Sequence, residues 1–426
     1  MLSRVTVKGY RNVLASAAEF KRVNVLVGPN NAGKSNFLRA LRFVSDFAGG
    51  GSRPAGLANT VTDHGAENLR TWGSSATSPV EFRWHGRLEG GDEIQHRLEF
   101  AFGGEGSFPQ GFHVVHEQFI VRDEMGQSTP KAEASWFPLT GQLDCHVQGK
   151  KLPASPDAAQ LNTMESLLIQ RSAMLERDGL RDVATKVLGP PAKQWLAELQ
   201  RLRVYRCAHF DPDTVAAPAQ SEPETRFLAV DGRNLANVLR HIEQAGGEGL
   251  GNIQSRMTEL IPDLQRLWVY DGAGNQRWVR LALSTTGQPD GPARTVQLGR
   301  MSDGTVQALV LATLLFSPEP ARVLCLDEPE LNLHPAWVRR MGLWMDEGHP
   351  ASQLFLSTHS PELLDALTDG FVRGDVAVFV FGKGGSSSPR QMRRLALSEV
   401  QGTFDQGWQL GDLYRVGDVS LGGWPW

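Results

Sequence analysis

The sequence predicts an α/β protein: a parallel sheet whose strands come from both ends of the chain, with an antiparallel β subdomain and a compact helical insert between them. Three observations predict it. Residues 23–27 (VNVLV) are a continuous apolar run, as in a strand buried on both faces, and a glycine-rich turn and a helix follow it. From about residue 300 helix and buried strand alternate again: VQALVLATLLF, RVLCLDEP, AWVRRMGLWMDE, QLFLSTHS, VAVFVFG. The text between these ends changes to short alternating strands and then to helix.

Each element follows from its residues. Residues 2–8 alternate as a strand, and after the turn a helix carries Phe37, Leu41 and Val44 on one face. Residues 49–78 are rich in Gly, Ser, Thr and Asn and read as a mobile loop. VEFRWHGRL, HRLEFAF, FHVVHEQFIV and LDCHVQG, separated by EGGDE and GGEG, read as antiparallel strands. Residues 156–202 read as helical, with one stripe at Leu161, Met164 and Leu168 and another at Trp195, Leu199 and Leu202. RLRVYRC is a strand, and a Pro-rich loop follows that contains Asp211-Pro212-Asp213, read as a turn. Leu235, Val238, Leu239 and Ile242 mark another amphipathic helix, and LWVYDGAGNQRWVRLAL reads as a hairpin. We therefore expect a core from 1–50 and 295–426, an antiparallel subdomain from 79–150 and 265–295, and a helical insert over 155–260.

Composition bounds the partners. The chain has 426 residues and a net charge of −4, so no whole-protein basic field announces nucleic acid. Cys145, Cys207 and Cys325 are far apart, without metal-ligand spacing, as in a reducing compartment. The N-terminus lacks a signal-peptide apolar stretch, and no run of about 18 apolar residues exists. The expectation is a cytoplasmic chain with no membrane partner.

Four segments carry chemistry. Gly28-Pro29-Asn30-Asn31-Ala32-Gly33-Lys34-Ser35 matches GxxxxGK[ST] in full, between strand and helix. Its glycines let successive N–H groups curl around a phosphate, Lys34 supplies an ammonium, and the Ser35 hydroxyl can ligate Mg²⁺. Asp327 and Glu328 end the second buried strand. Adjacent carboxylates there are costly unless a cation and a water use them: Asp327 for Mg²⁺, Glu328 as general base. Met301-Ser302-Asp303-Gly304-Thr305 opens a buried helix, where Ser302 can cap and free N–H groups can face an anion. His359 ends the strand QLFLST, where a neutral imidazole can reach a terminal phosphate or a water. His113, His116 and His209 have no comparable context.

In that order, GPNNAGKSN, MSDGT, LDEPELNLHP and STHSPELL resemble the RecF/OLD/SMC branch of ABC-type P-loop ATPases, closest to its short RecF-like and OLD-like AAA-type members. The resemblance implies an ATPase head using ATP and Mg²⁺. Its nucleotide contacts would run through Asn30, Asn31, Ala32, Gly33, Lys34, Ser35 and Asn36. Ser302, Asp303 and Gly304 would grip the terminal phosphate held by a second copy, in a head-to-tail homodimer. Glu330 to His334 would line the dimer seam, and His359 would be the switch histidine. Tyr10 and Arg11 stand where relatives keep a basic residue near the nucleotide, although a surface turn explains them equally. Gln118 and Gln170 are the candidates for the glutamine loop. SDGT in place of SGGQ argues against a transporter subunit, and the last apolar strand lacks the glutamate of a Toprim nuclease. The tail LGDLYRVGDVSLGG resembles that of ATPases paired with a separately encoded effector. The expected function is an ATP-driven switch, in anti-phage defence with a separate effector or toxin, with DNA as a possible partner. The alternatives are a scaffold holding a toxin or nuclease inactive and a RecF-like repair ATPase, and assemblies of several dimers are compatible with each.

Overall fold

The computed structural model describes residues 1–16, 19–50, 55–71, 78–102, 111–123, 129–222, 225–288, 291–382 and 392–423. A six-stranded sheet lies at the centre, in the order Leu202–Arg206, Val323–Asp327, Gln353–Ser357, Val23–Val27, Val376–Phe381 and Met392–Arg394. The first five strands are parallel and the last is antiparallel. The apolar runs explain its depth. Val25 and Val27 face one hydrophobic core while Leu26 faces the other, and Leu324 and Leu326 alternate with Cys325 in the same way. The turns that carry Lys34, Asp327-Glu328 and His359 leave carboxyl ends of these strands, where an open parallel sheet presents its crevice.

The second sheet is antiparallel and has eight strands, ordered Val13–Ser16, Leu2–Tyr10, Val80–Arg87, Glu93–Phe102, Phe112–Arg122, Ala132–Phe137, Gln142–Val147 and Lys150–Lys151. It packs on the helix Lys34–Phe47 that starts at the phosphate loop. Phe43 stacks on Phe82 at 5.0 Å and on Phe100 at 5.7 Å, and Phe47 stacks on Trp84 at 6.5 Å. Gly86 on the same sheet leaves room for Trp195, since an added Cβ would lie 2.6 Å from that ring. One helix thus joins the loop's geometry to a large aromatic core.

Four sequence expectations change. Residues 264–297 do not join the 79–150 sheet: Leu264–Asp271 and Gln276–Ser284 form a hairpin, extended by Ala293–Gln297 and Ala219–Gln220, in a separate sheet. Alternation marks a strand's buried face but not its partner, and here Leu267, Val269, Val279 and Leu281 face the core shared with the helices Leu235–Gln244 and Gly249–Leu260. Residues 2–16 belong to the antiparallel sheet, not to the parallel core. The strand Leu202–Arg206, assigned to the helical insert, is an edge of the central sheet. The stripe at Leu161, Met164 and Leu168 is not a helix. Pro156–Gln160 is a 3₁₀ turn, the next α-helix starts at Arg171, and Met164 is exposed. The side chains of Gln170 and Asn162 bond to the local backbone there and compete with helix formation.

Two smaller readings also shift. The expected loop over 49–78 contains the helices Leu57–His64 and Ala66–Leu69, while 51–54 and 72–77 lie outside the described residues, as does the expected turn at 103–106. Asp211 caps the short helix Pro212–Ala216 through Thr214. Cys145, Cys207 and Cys325 are free and buried. Among the described residues no helix is long and apolar enough to cross a membrane.

Phe43→Ala removes both stacks from a fully buried position. We expect a loss of about 3–5 kcal/mol in urea unfolding, and a change under about 1 kcal/mol would show that the helix does not depend on that packing.

Candidate functional site

The phosphate loop is shaped by residues that cannot be exchanged. Gly28 has φ 136°, and an added Cβ would collide with the Phe381 carbonyl. Asn31 is left-handed at φ 61°, and Gly33 at φ 108° turns the chain into the helix Lys34–Phe47. Lys34 folds back across this loop. Its Nζ donates to the Gly28 carbonyl at 2.8 Å and the Pro29 carbonyl at 3.1 Å, and only 5% of the residue is exposed. Among the described residues it forms no ion pair. Burial pushes its pKa down to about 8, partly offset by Glu328, Asp327 and Glu330. A desolvated ammonium facing carbonyls, with no carboxylate in contact, is complementary to a polyphosphate.

Across the sheet, Asp327 Oδ1 accepts the Ser35 hydroxyl at 3.0 Å and also the Ser357 hydroxyl. Three adjacent strands therefore bring one carboxylate and one hydroxyl of the loop together. That donor set fits a magnesium ion, which takes one or two carboxylates and completes its shell with phosphate and water oxygens. No cluster of three or more His, Cys, Asp or Glu side chains suited to a metal exists among the described residues.

Glu328 directly follows, in the left-handed region at φ 55°. Its N–H bonds the Ser357 carbonyl at 3.1 Å and hydroxyl at 3.3 Å, which holds the strained turn in place. A non-glycine residue there costs roughly 1–3 kcal/mol, and such strain concentrates at functional positions. Glu330 then reaches to the next strand end, where its Oε1 accepts from Thr358 Oγ1 at 2.8 Å and His359 N at 2.7 Å. Its Oε2 is buried without a partner, and burial raises its pKa.

His359 is half-buried, and its Nδ1 lies 2.9 Å from the Tyr414 hydroxyl. Burial, then the nearby Lys34 ammonium, pushes its pKa down to about 4, so the ring is neutral at pH 7. Asn30, Glu328, Glu330, Leu333, His359 and Tyr414 line one groove.

The remaining candidates lie elsewhere. Ser302 caps the helix Asp303–Phe316, its Oγ accepting from Thr305 N at 3.4 Å. Ser302 and Asp303 are exposed, and an added Cβ at Gly304 would lie 3.1 Å from the Asn332 carbonyl. This helix start therefore packs on the segment after the acidic pair. Tyr10 is a core residue, edge-on to Phe43 and Phe82. Arg11, at φ 51°, lies over the Tyr10 ring at 5.7 Å. Gln118 bonds Glu133 on the antiparallel sheet and Gln170 bonds Asn162, so neither is recorded at the site.

Sequence reasoning missed several neighbours. Asn12 donates to the Asn31 carbonyl at 3.4 Å and accepts from Asn36 at 2.7 Å, bracing the loop from outside. The signal is the polar pair Arg11-Asn12 after KGY, of which the resemblance points to Arg11 alone. Arg206 is in register with Asp327 across the edge of the sheet, and Arg39 lies one helical turn beyond Ser35. Burial, then Arg11 and Arg206, lowers the Arg39 pKa, so three guanidinium groups gather on this flank. Tyr414 lies in the tail LGDLYRVGDVSLGG, whose resemblance points to an effector and not to the nucleotide site.

Comparison with known proteins shows a family and a set of structural neighbours. A family described as an AAA domain, putative AbiEii toxin, Type IV TA system, matches residues 23–136 and 157–365. Among solved structures, an SMC head bound to the C-winged helix domain of ScpA shares 14% identity, covering 94% of this chain and 99% of that one, with a TM-score of 0.47. The SMC head domain from Thermotoga maritima shares 13%, covering 93% and 99%, with a TM-score of 0.40.

The lysine pKa of about 8, against an ordinary 10.5, gives a sign for binding. Between those values the free protein holds a neutral amine, and a polyphosphate in the loop favours the ammonium, so binding takes up a proton. Calorimetry of ATP binding at about pH 9, in two buffers of different ionisation enthalpy, should show net uptake that fades by about pH 7. Equal uptake in Lys34→Arg would assign that proton to another group.

Proposed function

The chain belongs to the family of AAA domains described as putative AbiEii toxin, Type IV TA system, and from that premise we propose that it hydrolyses ATP in sites completed when two copies meet head to tail. The observation that carries the reading is the convergence of Lys34, Ser35, Asp327, Glu328 and His359 at the ends of three adjacent parallel strands.

The roles follow from the chemistry of each group. Loop N–H groups from Asn30 to Ser35, with Lys34, hold the β- and γ-phosphates, and Asn36 supports the loop through Asn12. Ser35 and Asp327 would hold magnesium, which supplies neutralisation of charge on the phosphate oxygens. Glu328, turned out of the strand line, polarises the attacking water as general base. Neutral His359 offers a hydrogen bond to the terminal phosphate or to that water, and Arg11 contributes positive charge from the flank.

Ser302, Asp303 and Gly304 serve the neighbouring copy. They open a capped 14-residue helix that packs on the segment after the acidic pair, and its free N–H groups suit an anion. A terminal phosphate shared by two copies acts as glue, and its hydrolysis releases them. Within the RecF/OLD-like branch, we read the output as control of a separate effector. The family's description as a putative toxin of a Type IV TA system supports toxin control as the setting, and anti-phage defence rests on the sequence resemblance alone.

Glu328→Gln should retain ATP binding, lose at least about a hundredfold in turnover, and accumulate dimer by light scattering with ATP. Unchanged turnover removes Glu328 as base. A monomer that binds ATP but never pairs sinks the head-to-tail arrangement. Lys34→Ala should abolish both binding and pairing.

A further inference from the structure

The C-terminal segment was not needed to recognise the site, yet it runs along it. The helix Leu410–Arg415 is clamped on the helix Pro361–Ala366 that follows His359. Gly411 N donates to Asp365 Oδ1 at 2.8 Å, Arg415 pairs with Asp365 at 2.9 Å and Glu362 at 3.3 Å, and Leu410 N reaches Thr368 Oγ1 at 3.1 Å. The approach leaves no room for a side chain at Gly411, where an added Cβ would strike the Pro361 carbonyl and Asp365. Past this helix the turn Val419–Leu421 leads to Gly422, whose added Cβ would lie 3.8 Å from Gly28 Cα and Pro29 Cδ. One segment therefore touches both the histidine and the phosphate loop.

We propose that Tyr414 is a positioning residue of the hydrolytic site, its buried hydroxyl fixing the orientation and tautomer of His359, and that the tail is built to hold it there. The inference rests on the reading of His359 as the group facing the terminal phosphate.

The geometry leads to one tautomer. His359 is fixed at its backbone by Glu330, and its ring finds Tyr414 at Nδ1, which leaves Nε2 for the substrate side. The ring is neutral, so a single nitrogen carries the proton. A lone pair at Nε2 would repel phosphate oxygens, whereas an N–H there donates to them. The proton therefore sits on Nε2, and Nδ1 accepts from the tyrosine. Burial, with Glu330 nearby, raises the Tyr414 pKa to about 12, so its hydroxyl keeps the proton that this bond requires. The clamp at Asp365 and Gly411 keeps the hydroxyl at its distance, as a supporting partner keeps the histidine of other catalytic sites in one tautomer.

The test is a double-mutant cycle in ATPase turnover of the full chain. Tyr414→Phe keeps the ring and removes one oxygen. It should lower kcat about tenfold while KM stays within about twofold, with the melting temperature little changed. In a His359→Ala background, Tyr414→Phe should have no further effect, because its role passes through the imidazole. Full turnover in Tyr414→Phe overturns the proposal, as does the same loss in both backgrounds. A joint fall in ATP affinity and melting temperature also overturns it, since that marks a structural role. If His359→Ala alone leaves kcat unchanged, the underlying reading of the histidine fails, and the tyrosine proposal with it.

Discussion

A lysine ammonium is held out of water at the end of the central sheet and, among the described residues, forms no ion pair with a carboxylate. Lys34 rests on two carbonyls of its own loop, while Asp327, Glu328 and Glu330 raise its pKa from a distance. Moving any of these acids into direct contact would neutralise the charge and fill the place of an anion. Leaving them further away would let burial strip the proton altogether. The parallel sheet meets both demands, because fixed spacing between adjacent strands sets how far the Asp327 end lies from the loop. The hydroxyls of Ser35 and Ser357, both on Asp327, take up its charge while the lysine waits.

The same loop governs packing at a distance. Its helix carries Lys34 and Ser35 in the first turn and Phe43 and Phe47 further on, stacked against the antiparallel sheet. Asn12, at the end of a strand of that sheet, braces the loop directly through Asn31 and Asn36. A shift of the loop on phosphate binding is therefore transmitted through a stiff aromatic contact and a polar one, not through a flexible linker.

Much of this was legible in the residues. The apolar runs at 23–27 and 323–327 and the glycine loop revealed both the sheet and its crevice, because a doubly buried strand leaves a strong local signature. Pairing between distant strands left none. The hairpin over 264–284 alternates like the strands of 79–150, and only three-dimensional packing separates them. Leu202–Arg206 reads as a strand, but its place beside Asp327 was invisible. The site divides the same way. Lys34, Asp327, Glu328 and His359 sit in compact motifs, whereas Asn12, Arg206 and Tyr414 reach the site through folding, from segments whose residues do not by themselves point to it. Tyr10 shows the converse, a polar aromatic that reads as functional and serves the core.

The central position of Val23–Val27 has a consequence for how the molecule is made. Its two partners are Gln353–Ser357 and Val376–Phe381, and the Asn24 side chain bonds the Leu354 carbonyl 330 residues away. During synthesis this apolar strand emerges before both of its partners and must wait about 330 residues before either edge is covered. Contacts of such separation form slowly and leave unpaired edges exposed. The crevice beside the phosphate loop is therefore completed only when the segments that carry Gln353–Ser357 and Val376–Phe381 have arrived.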